Sequence, residues 1–220
     1  MWCIGKITVI YRERMYDLLD LYAEEYNPRR PLICTDEKSK QLLCDTRIPI
    51  PLRAGQSERY DYEYKRNGTR NIFVAVEPKA GWRKVVATKH RKKGDFARFI
   101  RNLVDSRRYR NAEKIRLVLD NLNTHFVTSF YETFSREEAE RILGKLEFHY
   151  APIHASWLNM AEIEINVMDC ECLGDRRIPD ENVLKRELAA WQQRRNRAKR
   201  KIDWKFTKQD ADRKLKKHYV

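Results

Sequence analysis

Two short apolar runs constrain this chain most: Leu32–Thr35 stops at Asp36, and Ile115–Leu119 stops at Asp120. Runs of four or five residues rich in Leu and Ile suit buried strands. The text around them changes period. Tyr60, Tyr62 and Tyr64 alternate with polar residues up to Asn67-Gly68, a two-residue turn signal, and Asn71–Val76 reads as the returning strand of a hairpin. Lys84–Thr88 reads as a further strand after the Pro78–Gly81 turn.

Helical stripes surround these strands. Met15, Leu18, Leu19 and Tyr22 fall at i, i+3, i+4 and i+7, as do Phe96, Phe99, Ile100 and Leu103, with Asp95 as expected cap, and Val127, Phe130, Tyr131 and Phe134. Ser135 and Glu138 form a capping box before another stripe, and Leu146–Tyr150 is a last short strand ahead of Pro152. Ser156–Met168 is apolar nearly all round and is expected as a buried helix; Asp180 caps a final one through Leu184, Leu188 and Trp191. Antiparallel strands followed by strand–helix alternation predict an α/β fold, a mixed sheet with helices on its faces.

The 220 residues carry a net charge of +14, and Lys185–Val220 alone holds fourteen Lys/Arg against four acids. Arg83, Lys84, Lys89, Arg91, Lys92 and Lys93 form a second basic cluster. Such density suits a polyanion binder, because neutralised phosphates release counterions. Trp191, Trp204, Phe206 and Tyr219 lie among the tail charges and are expected to anchor it to the domain. The hydrophobic fraction of 42% supports a real core, and no apolar run approaches the ~18 residues of a membrane span. Five scattered cysteines, Cys3 among them, suit a reducing cytoplasm, and Cys170-x-Cys172 alone does not make a zinc site.

Asp36 and Asp120 each end a predicted strand, so adjacent parallel strands would bring both to one sheet edge, where open α/β sheets place their sites. Glu162 lies in the apolar Ser156–Met168 segment, where a carboxylate is costly unless it is paired or bound to a cation. Three converging acids make a hard-oxygen site for Mg²⁺ or Mn²⁺, and two such ions suit phosphodiester displacement. The bland alternatives are turn formation for Asp36, helix capping for Asp120 and a structural ion pair for Glu162.

Three ordered motifs carry a resemblance: Cys34-Thr35-Asp36-Glu37-Lys38-Ser39, Leu119-Asp120-Asn121-Leu122-Asn123-Thr124-His125, and Pro152 through Glu162 with His154 and Asn159 inside it. Together they resemble the DDE transposases of the mariner superfamily, most nearly the bacterial insertion-sequence branch. The resemblance implies an RNase H-like fold, with Asp36, Asp120 and Glu162 as catalytic and metal-holding acids. It also implies strand cleavage releasing a 3′-hydroxyl, strand transfer by that hydroxyl, and a homodimer acting on transposon ends and target DNA. Glu164 competes with Glu162 but points about 200° away on a helix, and Asn159 stands one turn before Glu162, so Glu162 is chosen. Asn121 and His125 are placed to orient substrate or carboxylate. His154, Arg91, Lys92, Lys93, Arg194, Arg195, Arg197, Lys199, Arg200 and Lys201 are the expected DNA contacts.

The expected organisation is an N-terminal helix and linker over 1–30, a catalytic domain over 31–175 and a basic helical extension over 176–220. Met1–Arg14 does not resemble the family, and its helix-turn-helix region is missing. The alternative reading is therefore a truncated, non-catalytic DNA-binding or dimerising fragment that modulates a full-length transposase.

Overall fold

A computed structural model describes residues 5–122, 124–174 and 176–220. Cys3, and Asn123 of the second motif, lie outside the described residues. Five strands form one sheet: β1 (Leu32–Asp45), β2 (Tyr64–Glu77), β3 (Trp82–Thr88), β4 (Ile115–Leu119) and β5 (Leu146–Tyr150), in the spatial order β3-β2-β1-β4-β5. β1, β2 and β3 pair antiparallel, whereas β4 lies parallel to both β1 and β5. The expected mixed sheet is thus present.

One expectation fails. The tyrosine segment and Asn71–Val76 do not pair across Asn67-Gly68: Tyr60 and Tyr62 lie in the loop before β2, and Tyr64 opens the same single strand, β2, that contains Asn71–Val76. Its partner is a β1 much longer than the apolar run, and the connection is the loop over residues 46–63. Asn67 and Gly68 instead occupy the irregularity where the register passes from Gln41↔Thr69 to Leu43↔Arg66. Gly68 has φ +81°, the left-handed conformation that a bulge demands and glycine adopts without strain. A local turn signal cannot tell a bulge from a hairpin.

Strand alternation sends side chains to two faces. On one, Ile33, Phe73, Ala75, Leu117 and Leu119 pack against α2 (Lys93–Val104), α3 (Thr128–Tyr131) and α4 (Arg136–Leu143). Lys92 occupies the cap position of α2 and Asp95 lies at its third residue, accepting from the Lys92 amide, so Asp95 closes the helix end from within rather than as the cap. On the other face, Leu32, Cys34, Val76 and Val118 meet α1 (Val9–Ala23), and Ile72, Val74, Val85 and Ala87 meet α5 (Met160–Met168) and α6 (Glu181–Arg197).

The basic tail folds back onto this second face. Trp191 is buried, Trp204 packs on Tyr22 at 5.1 Å and Phe206 meets Trp157 edge-on at 5.4 Å, so these aromatics anchor the tail. α7 (Lys208–Leu215) then packs beside α1, and Ile7 pairs with Tyr219. At the turn after β2, a Cβ on Gly81 would stand 2.4 Å from the Lys199 carbonyl oxygen, so only glycine lets the end of α6 close there. No helix among the described residues is long and apolar enough to cross a membrane.

Candidate active site

The parallel ladder between β1 and β4 ends at Cys34↔Val118; Asp120 follows the end of β4 as expected, whereas Asp36 does not end its strand, because β1 runs on to Asp45 and pairs Asp36 with Val74 of β2. Burial leads in pushing the Asp36 carboxyl up to about 7; the negative charges of Glu162, Asp120 and Glu37 add to the rise, against the hydrogen bond from the Glu37 amide. Asp36 therefore lies within electrostatic reach of each of the other two expected acids.

The expected helix Ser156–Met168 is broken. A 3₁₀ turn covers Ser156–Leu158, and Asn159 then caps α5. Asn159 Oδ1 accepts from the Ala161 amide at 3.1 Å, while its Nδ2 donates to the Thr35 carbonyl at 2.9 Å and faces Asp36 Oδ2 at 3.4 Å. One buried amide thus starts the helix and ties it to the aspartate strand. Glu162, in the first turn of α5, is half-buried.

Glu164 is fully buried and already engaged. Its Oε1 accepts from Arg83 Nε at 2.8 Å and from Arg195 Nε at 3.2 Å. Burial pulls the Arg83 guanidinium below its ordinary value, and the Glu164 charge works against that shift. The structural ion pair considered for Glu162 belongs to Glu164. Arg83 and Arg195 are consumed by it, which removes both from the freely basic surface; counting charges along the text cannot reveal such pairing.

On the opposite side of β1, His125 is buried with its ring 4.5 Å from that of Phe96. Nδ1 donates to Asp120 Oδ1 at 2.5 Å, and Nε2 stands 3.1 Å from Glu37 Oε2. Burial alone would lower the imidazole, but the hydrogen bond to Asp120 and the adjoining Glu37 carboxylate overcome it and hold His125 protonated up to about 9. Asn121 is spent on structure: its amide donates to the Ala151 carbonyl, and its oxygen accepts from Arg14 at 2.8 Å.

His154 is exposed and has φ +62°. Arg91 and Lys92 are exposed beside the site, with Arg91 Nη1 at 4.0 Å from Glu37 Oε1, while Lys93 pairs with Glu132 at 2.7 Å. Arg194, Arg197, Lys199, Arg200 and Lys201 are exposed on and after α6.

The donor set fits a hard divalent cation in chemistry: three carboxylates, with Asp36 held against ionisation first by burial and then by the charges of the other two. Among the described residues, however, no three His, Cys, Asp or Glu side chains stand within reach of one shared ion. Both aspartates are turned to the protein's own donors, Asp36 Oδ1 to the Glu37 amide at 2.8 Å and Asp120 Oδ1 to the Leu122 amide at 3.2 Å as well as to His125.

A 3-2-1-4-5 mixed sheet with acids at the edge of its central parallel pair defines an RNase H-like protein. Residues 31–185, more than half of the chain, match the DDE superfamily endonuclease family, and the chain belongs to it. Its fold is similar to that of the mariner transposase Mos1. The paired-end complex with Mn aligns with a TM-score of 0.58 at 14% identity, covering 91% of this chain and 60% of that one. The paired-end complex with the left transposon end gives 0.57 at 15%, covering 88% and 57%. The pre-cleavage transpososome gives 0.55 at 14%, covering 94% and 67%. This chain thus spans about 60% of the first of these relatives. Among curated proteins none matches in sequence.

Proposed function

We propose that the chain is the catalytic domain of a DDE transposase of the bacterial insertion-sequence branch, cleaving DNA and joining the freed 3′-hydroxyl to a target by in-line phosphodiester displacement. The observation that carries this reading is Asp36, buried and pushed up to about 7 beside the charges of Glu162 and Asp120. A carboxyl group so placed weakens its own ionisation, an arrangement found where acids serve chemistry more than stability.

Asp36, Asp120 and Glu162 would hold Mg²⁺ or Mn²⁺. Bound there, the cation supplies Lewis-acid activation of the attacking oxygen and neutralises charge on the phosphate. The Mos1 complexes with Mn and with Mg are consistent with that choice. The chain's own residues do the rest. Asn159 holds the Asp36 strand against the Glu162 helix, His125 holds Asp120, and exposed Arg91 and Lys92 meet phosphates flanking the cut. Arg194, Arg197, Lys199, Arg200 and Lys201 engage the duplex further off. The catalytic domain is taken as residues 31–175, working as a homodimer in the bacterial cytoplasm on transposon ends and target DNA.

Supercoiled plasmid with Mg²⁺ or Mn²⁺ tests this directly. Wild type should nick it, EDTA should stop the reaction, and Asp120→Asn should abolish it. Equal nicking by both proteins, or none by either, refutes the enzyme and leaves a DNA-binding or dimerising module.

A further inference from the structure

We propose that Glu37 is a fourth acid of this centre, a positioning residue that acts through His125 to fix the Asp120 carboxylate. The inference rests on the reading of Asp120 as a cation ligand. It starts from strand alternation: β1 sends Asp36 toward α5 and the next residue, Glu37, to the opposite face, against α2 and His125. There the Glu37 and His125 side chains are each 2% exposed. The ring is clamped between two carboxylates, 2.5 Å from Asp120 and 3.1 Å from Glu37. Phe96 packs on its face, and the Tyr150 hydroxyl donates to its carbonyl at 3.1 Å.

Among the described residues Glu37 has no other strong partner: its Oε2 meets His125 at an angle too poor for a hydrogen bond, and its Oε1 stands 4.0 Å from Arg91. A carboxylate sealed inside a fold on such terms adds little stability, since an apolar side chain would serve the core as well or better. Its geometry serves something else. Asp120, 27% exposed at a strand end, has rotameric freedom that the ring at 2.5 Å removes, and the ring is itself held from behind by Glu37. Outer partners of this kind orient ligating groups, and their loss typically costs ~10–100-fold in metal affinity or activity.

Mn²⁺ binding to the full chain, read by water-proton relaxation enhancement without DNA, tests the relay apart from activity. The set is wild type, Asp120→Asn, His125→Gln, Glu37→Gln, Glu37→Asp and the double variant His125→Gln/Glu37→Gln. Ile142→Val, in the core on α4 where it packs toward β5, serves as a control for destabilisation alone. Positioning predicts that His125→Gln and Glu37→Gln each weaken Mn²⁺ by ~10-fold, and that the double variant is no worse than either. His125→Gln is decisive, because removing a basic group by charge alone would tighten a cation.

Glu37→Asp keeps the charge but withdraws it by one methylene, so it should also weaken binding; it replaces Glu37→Gln if that variant does not fold. Ile142→Val should bind as wild type. Wild-type or tighter Mn²⁺ binding in His125→Gln, with Asp120→Asn weakened, overturns the relay and leaves the acidic centre standing. Unchanged binding in Asp120→Asn overturns the centre itself.

Discussion

Replacing Asp36 with Asn should remove activity and yet stabilise the cation-free protein at alkaline pH. The carboxyl is pushed from its ordinary 3.8 to about 7 by burial first, then by the neighbouring acids. Because the folded-state value is raised, its stabilising contribution is fully present below about pH 4 and is lost as pH climbs through 7. Between pH 5 and 8 the wild type should lose about 3 kcal/mol through this group, whereas Asp36→Asn, which does not titrate, should lose none of it. One kcal/mol moves the melting temperature of a domain this size by about 2–4 °C, so the variant's advantage should grow by about 6–12 °C over that range. The amide's Nδ2 would face Asn159 Nδ2, donor against donor, which places the expected gain toward the lower end. Thermal melts in EDTA at pH 5 and pH 8 measure it, and saturating Mg²⁺ at pH 8 should restore most of the wild type's deficit. A gap between the two proteins that stays constant, or shrinks, from pH 5 to pH 8 would refute the argument that Asp36 is held against its own ionisation.

The two helix glutamates should separate cleanly. Glu164→Gln leaves buried Arg83 without its counter-ion and Arg195 with Glu171 alone, and should cost about 3–5 kcal/mol in urea unfolding, while half-buried Glu162→Gln should cost under about 1 kcal/mol and abolish nicking. Among the tail arginines, Arg194→Ala and Arg197→Ala should each lower duplex affinity and reduce the slope of log affinity against log salt by about 1, measured by fluorescence anisotropy. Arg195→Ala should act chiefly on the melting temperature, because its guanidinium is spent on Glu164 and Glu171.

Much of the proposed site is legible in the sequence. A short apolar run ending in an acid is a local statement, and it located both Asp36 and Asp120. The Leu-Asn-x-x-Glu spacing, read with the resemblance, singled out Glu162, and the buried Arg83–Glu164–Arg195 cluster explains why its neighbour is unavailable. Glu37 went unnoticed although the signal was present: it follows Asp36 on a strand, so it must face the other side. What it faces there, a histidine 88 residues further on, has no trace in local periodicity. The basic surface was overcounted for the same reason, since Arg83 and Arg195 look like their neighbours until Glu164 is brought between them.

By itself the sequence determined the order and type of most elements, because hydrophobic periodicity and capping act over a few residues. It also determined a strong positive charge and the placement of Asp36 and Asp120 directly after short apolar runs. Only the tertiary structure decided that Asn67-Gly68 bends a strand instead of turning a hairpin, and that Asn159 closes one helix onto another element's aspartate. It alone decided which charges are free and which are neutralised inside. Those outcomes depend on Coulomb and hydrogen-bonding partners drawn from distant parts of the chain, and such partners meet only when the sheet has assembled.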